Sequence, residues 1–256
     1  MYPYIKTALG DLSTFTLLIC VGVLVMILMI HNALKKMNQL DEEAIIFPRL
    51  VICGIVGYGF AAIADFLFKY IEYGVLKIYG ITFYGGLIGG IVALFLLLKF
   101  SAKTSNISIQ KWFEILTLPF IVFHFFGRIG CFLGGCCYGK NTQSFLGVVF
   151  PDNEKMGIIH NGSKCYPTQL LEAIALIGIF IIVYKSKHRF STYMLSYAVM
   201  RFFLEFLRGD DRGMITLFLS PSQVISLCVI CSFGVYKLIL FYKTKKSVDE
   251  DFMLYD

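Results

Sequence analysis

The stretch "FGRIGCFLGGCCYGK", Phe126–Lys140, lies between two long apolar runs and carries five glycines, three cysteines and two cations. Glycine costs stability in a helix interior and earns its place where a backbone takes positive φ or approaches another group closely. Arginine presents a planar fork of donors suited to phosphate or carboxylate. Together these residues suggest an anion held against main chain. What flanks the stretch decides the fold.

Only 16% of the 256 residues are charged and 57% are hydrophobic, with a mean hydropathy of +0.74. A soluble domain carries roughly 25% charge, so a soluble fold is excluded. Apolar segments fall at about 12–32, 48–68, 78–99, 112–126, 168–184, 191–208 and 221–242. Crossing ~30 Å of hydrocarbon takes roughly 17–25 residues. All approach that length except the fourth and fifth, which border the opening stretch. Short spans are expected where irregular backbone lines an enclosed cavity. The reading is an all-α polytopic membrane protein of about seven transmembrane helices, a single domain over 1–256. The first segment reads as an anchor, being too long for a signal peptide and followed by no small-residue cleavage site.

Cations set the orientation. Lys35, Lys36, Arg49, Lys99, Lys103, Lys111, Lys185, Lys187, Arg189, Lys243, Lys245 and Lys246 share one side, placed in the cytoplasm with the C-terminus. The N-terminus and a loop at about 127–167 then face outward. The net charge of +6 suits an anionic membrane surface; nothing points to nucleic acid.

Polar residues inside spans are expensive, so each is a candidate site. Tyr197, Arg201 and Glu205 recur every fourth residue and share one helix stripe. An arginine at this depth facing lipid would cost about 2.5–3.5 kcal/mol, so Arg201 is expected to face a polar cavity; simple pairing with Glu205 is the alternative. The topology brings Tyr84, Gly85 and Gly86 (segment three), Arg128 (segment four), Gln169 and Glu172 (segment five) to the same depth. Two arginines and two carboxylates at headgroup level make a candidate phospholipid-headgroup site. Tyr84 reads equally as an interfacial anchor, and the glycines of "YGGLIGG" as helix packing. His124 reads first as a structural histidine and second as a base. Trp112 and Glu114 read as interfacial, and "SPSQVISL" (220–227) as a helix start with Pro221 in its first turn.

Of eight cysteines, Cys20, Cys53, Cys228 and Cys231 read as small hydrophobes. Cys131, Cys136, Cys137 and Cys165 fall in or near the outward loop, where a disulfide, for instance from Cys165 to the cluster, is an option. Zinc held with His160 is a rival, but C-x4-C-C departs from the usual C-x2-4-C pair, and no metal is assigned.

These residues together resemble the prolipoprotein diacylglyceryl transferase family. "FGRIGCFLGGCCYG" is similar to its signature G-R-x-G-N-F-x-N-G-E-x-x-G, "YGGLIGG" to H-G-G-L-I-G, "YPTQLLE" to H-P-S-Q-L-Y-E, and "YAVMRFFLEFLRGDD" to Y-G-x-x-R-F-x-V-E-F-F-R-x-P-D. The resemblance implies seven spans in a bacterial cytoplasmic membrane and a site open to the outer leaflet. It also implies transfer of a diacylglyceryl group from phosphatidylglycerol to the lipobox cysteine of preproteins, without metal or diffusible cofactor. It assigns catalysis to Arg128, Arg201, Glu205, Tyr84 and Glu172. Substrate contacts fall to Arg128, Arg201, Gly85, Gly86, Cys131, Gly139, Gln169 and Tyr197. Arg128 would hold the phosphate, Arg201 would add a contact oriented by Glu205, and Glu172 would order water or the glyceryl hydroxyls. Gly134, Gly135 and Gly139 would admit the headgroup near main chain.

The chain departs from the family pattern at Tyr84, where the family has a histidine favoured as the thiol-activating base. It departs again at Cys131, Gly134 and Cys136, where the family has Asn, Asn and an acidic residue, and a family tyrosine falls on Phe15. Three other readings stay open: a related transferase using another acceptor, a membrane thiol-redox protein built on Cys136 and Cys137, and a transporter or non-enzymatic lipid-binding protein.

Overall fold

The computed structural model describes residues 2–7, 10–74, 82–101, 104–152, 162–209 and 219–235. The expected acidic tail, His160 and several of the orienting lysines lie outside these residues. A short antiparallel hairpin, β1 (Tyr4–Thr7) and β2 (Gly10–Ser13), leads into helix α1 (Thr14–Lys36). Helices α2 (Glu43–Tyr73), α3 (Phe83–Phe100) and α4 (Ile109–Gly134) follow. A two-stranded ribbon, β3 (Val148–Val149) with β4 (Lys164–Cys165), precedes α5 (Thr168–Lys185) and α6 (Arg189–Leu204). A 3-10 turn, Glu205–Leu207, extends α6, and helix α7 covers Pro221–Val235. The chain is therefore a helical membrane protein, with two small ribbons that an all-α reading did not anticipate. Among the described residues, four apolar helices, Thr14–Lys36, Leu40–Leu67, Ile109–Gly134 and Thr168–Lys185, are long enough to cross a bilayer.

The fourth segment corrects the sequence reading. It was expected to be short and to end at 126, yet α4 runs 26 residues and carries Arg128 and Cys131 on its last turns. Gly130 serves close packing: a Cβ on it would stand 3.0 Å from the Phe15 ring and 3.4 Å from Phe15 Cα, where α1 lies along α4. The turn begins only at Gly135, in the left-handed region (φ 75°), whose N–H closes on Phe132 O. Left-handed glycine is the common helix terminator.

Helix α3 packs on α2 through small residues. A Cβ on Gly85 would lie 2.7 Å from Ala64 Cβ and 2.9 Å from Phe60 O; one on Gly86 would lie 3.4 Å from Ala61 Cβ. Both glycines face α2 at the end of the bundle where Tyr84 sits.

The two ends of the bundle differ. At one, Ile30, Leu34, Ile46, Leu94, Leu98, Ile115 and Leu116 pack around Trp112. Trp112, expected at the interface, is fully buried and donates to Ser105 Oγ at 3.1 Å. Glu114 accepts from the Arg189 N–H at 2.5 Å and ties α4 to the start of α6. At the other end the beginnings of α3, α5 and α7 meet the ends of α4 and α6. Ser220 Oγ accepts from Gln223 N at 3.3 Å, so α7 starts as its sequence suggests, with Pro221 in the first turn.

Candidate active site

Glu172 is the hub of this second end. It lies on the second turn of α5, fully buried. Its Oε1 accepts from Tyr197 Oη at 2.8 Å and pairs with Arg128 Nε at 3.0 Å. Arg201 Nη1 lies 3.8 Å from Oε2, an ion pair beyond hydrogen-bond reach. One carboxylate thus sits between guanidiniums from α4 and α6. A buried charge without a partner costs several kcal/mol, so an arginine inside an apolar helix is driven to such an arrangement.

The stripe read from the sequence is realised. Tyr197, Arg201 and Glu205 face the cluster, and Arg201 Nη2 pairs with Glu205 Oε2 at 2.6 Å. Glu205 accepts from Ser220 Oγ at 2.9 Å, and Arg201 Nη2 reaches Ser222 Oγ at 3.4 Å. The start of α7 therefore closes the site, a role its sequence does not announce beyond Ser222 and Ser226 sharing a face at i, i+4.

His124 belongs to the cluster. Arg128 Nε donates to His124 Nε2 at 3.3 Å while lying 3.0 Å from Glu172 Oε1. The imidazole therefore accepts at Nε2, carries its proton on Nδ1 and directs it to Tyr193 Oη at 3.2 Å. The i, i+4 spacings of His124 with Arg128 and of Tyr193 with Tyr197 are the sequence signal for this pair. Tyr84 forms a wall: its ring lies 6.4 Å from that of Tyr197 and its hydroxyl bonds Ser226 Oγ at 2.8 Å. Arg208, also buried, adds a third guanidinium at this end.

The cysteine turn folds onto α5. Gln169 Nε2 donates to Cys136 O at 2.6 Å and Thr168 Oγ1 to Cys137 O at 2.8 Å. Gly139 makes main-chain contact on both sides: its N–H bonds Tyr166 O at 2.8 Å, and it bridges Arg208. A Cβ there would meet Leu207 O at 2.6 Å. All eight cysteines are free thiols, and Cys165 bonds Asn141 Oδ1 at 3.2 Å instead of joining the cluster by a disulfide. Cys131, Cys136 and Cys137 place their sulfurs within 4.8 Å of one another. The Cys136 thiol is pushed up to about 12: its hydrogen bond with Cys131 pulls down, while the bond with Cys137 and burial outweigh it.

Of the buried side-chain atoms without a hydrogen-bond partner among the described residues, Arg201 Nη1 and Glu172 Oε2 face each other. Leaving each so costs about 1–3 kcal/mol. Beside the cluster, toward the middle of α4 and α5, an apolar hollow of about 160 Å³ is lined by Ile121, Val122, Phe125, Leu176, Ile177 and Phe180.

The family model for prolipoprotein diacylglyceryl transferase matches residues 5–240. The chain is similar to the phosphatidylglycerol–prolipoprotein diacylglyceryl transferase of Clostridium tetani, 36% identical over 172 residues covering 64% of this chain and 66% of that one. It is 36% identical over 158 residues to phosphatidylglycerol–prolipoprotein diacylglyceryl transferase 2 of Clostridium perfringens, covering 59% of each. With the Clostridioides difficile enzyme of the same name it shares 29% identity over 233 residues, 85% of this chain and 84% of that one. The match thus spans less than two thirds of the length of the first two relatives.

Proposed function

Because the chain belongs to the prolipoprotein diacylglyceryl transferase family, we propose that it moves a diacylglyceryl group from phosphatidylglycerol to the lipobox cysteine of secreted preproteins, releasing glycerol phosphate. The observation that carries this reading is Arg201 Nη1, a buried guanidinium donor with no hydrogen-bond partner among the described residues, set where two guanidiniums converge on the single carboxylate of Glu172. A phosphodiester offers the acceptor and the negative charge that this arrangement needs.

Arg128 and Arg201 grip the phosphate and stabilise the charge that grows on the departing glycerol phosphate. Donors preorganised in this way are often the largest catalytic contribution. Glu172 and Glu205 hold the two guanidiniums in place, Glu172 also orders the glyceryl hydroxyls, and Gln169 fixes the cysteine turn. Tyr197 holds Glu172, and Tyr84 walls the pocket. Gly85 and Gly86 let α3 approach α2, and Gly134, Gly135, Gly139 and Cys131 border the headgroup. The apolar hollow between α4 and α5 takes acyl chain.

The seven helices cross the bacterial cytoplasmic membrane with the N-terminus outside and the cluster toward the outer leaflet. Lys35, Lys36, Arg49, Lys99, Lys111, Lys185 and Arg189 all lie toward the opposite end of the bundle, which supports that orientation. The test is mass spectrometry of a lipobox peptide incubated with the protein in phosphatidylglycerol nanodiscs. A mass gain equal to diacylglycerol, reduced about 10²–10³-fold by Arg128→Ala or Arg201→Ala, is expected. Glycerol phosphate released without modified peptide would point to another acceptor, and no release at all would overturn the reading.

A further inference from the structure

The transferase reading leaves one requirement unmet: the acceptor must react as a thiolate, since the thiol is a poor nucleophile. Tyr84, at the position where a family histidine is expected, has its hydroxyl bonded to Ser226, and an ordinary phenol releases its proton only near pH 10. His124 Nε2 accepts from Arg128. Neither stands ready to take a proton.

Three soft ligands do converge nearby. Cys131 comes from the last turn of α4, and Cys136 and Cys137 from the turn that caps it, with all three sulfurs within 4.8 Å. A tetrahedral ion with Zn–S bonds of about 2.3 Å sets its sulfurs roughly 3.8 Å apart, so closing on an ion takes movements of about 1 Å or less. The framework is already fixed. Cys136 N–H bonds Cys131 O at 3.2 Å, and α5 holds Cys136 O and Cys137 O through Gln169 and Thr168. Cys137 adopts φ +65°, a region that non-glycine residues enter rarely and often at functional sites. The three thiols are half-buried rather than sealed. Arg128, three residues before Cys131 on the same helix face, offsets the negative charge that gathered thiolates would bring.

We propose that Cys131, Cys136 and Cys137 hold a zinc ion whose fourth position binds the acceptor cysteine as a thiolate. This rests on the transferase reading for the identity of the acceptor. Three protein ligands with one open position is the arrangement of catalytic rather than structural zinc, and a thiol that coordinates the ion loses its proton outright. The step balances. The acceptor thiol releases its proton to solvent on binding, and its sulfur then forms the S–C bond to the glyceryl carbon. The C–O bond to phosphate breaks, its electron pair leaves on oxygen, and glycerol phosphate departs as a dianion held by Arg128 and Arg201. No oxidant or reductant is consumed. The cysteines thus replace a general base by coordination.

The test uses full-length protein, reduced, stripped of metal and placed in phosphatidylcholine nanodiscs without phosphatidylglycerol, with cobalt(II) as the optical probe and zinc as competitor. One cobalt per chain is expected, with a sulfur-to-metal charge-transfer band and the visible spectrum of a tetrahedral site, displaced by zinc. Cys131→Ser, Cys136→Ser and Cys137→Ser should each weaken binding at least tenfold, whereas Cys165→Ser, outside the cluster, should not. Adding a lipobox peptide should shift the cobalt spectrum, and the same peptide with serine for cysteine should not. Absence of the band in reduced protein with its thiols counted as free would overturn the site. A band unmoved by peptide would overturn the acceptor's place in it. Undiminished peptide lipidation by metal-free protein would overturn the proposal and leave the transferase reading standing. A zinc-loaded protein inert toward phosphatidylglycerol would remove that reading and leave the metal site.

Discussion

Arg128 Nε lies 3.0 Å from Glu172 Oε1 and 3.3 Å from His124 Nε2, so a single N–H of one arginine joins α5 to its own helix. Glu172 in turn takes the Tyr197 hydroxyl. The position of the guanidinium is therefore set by two neighbours that are themselves buried and held, the condition for a preorganised anion grip.

Glu172→Ala should be the most damaging single change in this network. It leaves Arg128 and Arg201 buried without their common carboxylate, and breaking one partner of a buried pair costs about 3–5 kcal/mol. A fall in Tm of the detergent-solubilised protein, with loss of lipidation, is expected. An unchanged Tm would show that the guanidiniums find other counter-charges.

Tyr193→Phe removes only the hydroxyl that meets His124 Nδ1 at 3.2 Å. A single hydrogen bond contributes about 0.5–1.5 kcal/mol, so a small loss of stability is expected. His124→Phe should do more, because Arg128 then loses its second anchor. We expect the KM for phosphatidylglycerol to rise in His124→Phe and to stay near wild type in Tyr193→Phe. Equal effects would mean the imidazole only fills space.

Tyr84→Phe should keep lipidation within about threefold of wild type, since its hydroxyl serves Ser226 and a phenol is a weak base at neutral pH. Ser226→Ala should behave alike. A loss of a hundredfold or more in Tyr84→Phe, measured by peptide mass gain, would restore Tyr84 as the proton acceptor.

Burial pushes the Cys165 thiol up. At any pH below the raised value, less thiolate is present than for a free cysteine, whose value is about 8.5. Alkylation by maleimide should therefore be slower at pH 7 than that of a free peptide thiol and should still be rising at pH 9. Labelling of single-cysteine protein at the rate of a free peptide would contradict this.

The helix stripe Tyr197, Arg201 and Glu205 is legible in the sequence because it follows one helical period and places costly charges in an apolar run. The meeting of α3, α4, α5 and α6 is legible from alternation of the spans. Ser222, Ser226 and Tyr193 are not, since small hydroxyls and aromatic rings are ordinary in membrane helices and only tertiary placement gives them a partner. The extent of α4 is misread for a related reason. Glycine spacing suited to a turn serves equally to admit Phe15, and no local signal separates the two.

Gly139 and Gly134 offer opposite outcomes from one substitution. A Cβ on Gly139 would lie 2.6 Å from Leu207 O, 2.7 Å from Tyr166 Cβ and 2.8 Å from Tyr166 O. Two of these are main-chain atoms, and Gly139 N–H is bonded to Tyr166 O, so nothing there yields cheaply. Gly139→Ala should separate the cysteine turn from the segments after α6 and before α5, lowering Tm and lipidation together. Gly134 is the last residue of α4, and a Cβ on it meets nothing within 4 Å. Alanine is better than glycine in a helix by roughly 0.5–1 kcal/mol, so Gly134→Ala should hold or raise Tm. If the headgroup passes along this main chain, as the turn beside Arg128 suggests, the added methyl should still raise the KM for phosphatidylglycerol. A Gly134→Ala protein with both Tm and KM at or better than wild type would place the headgroup elsewhere in the cluster.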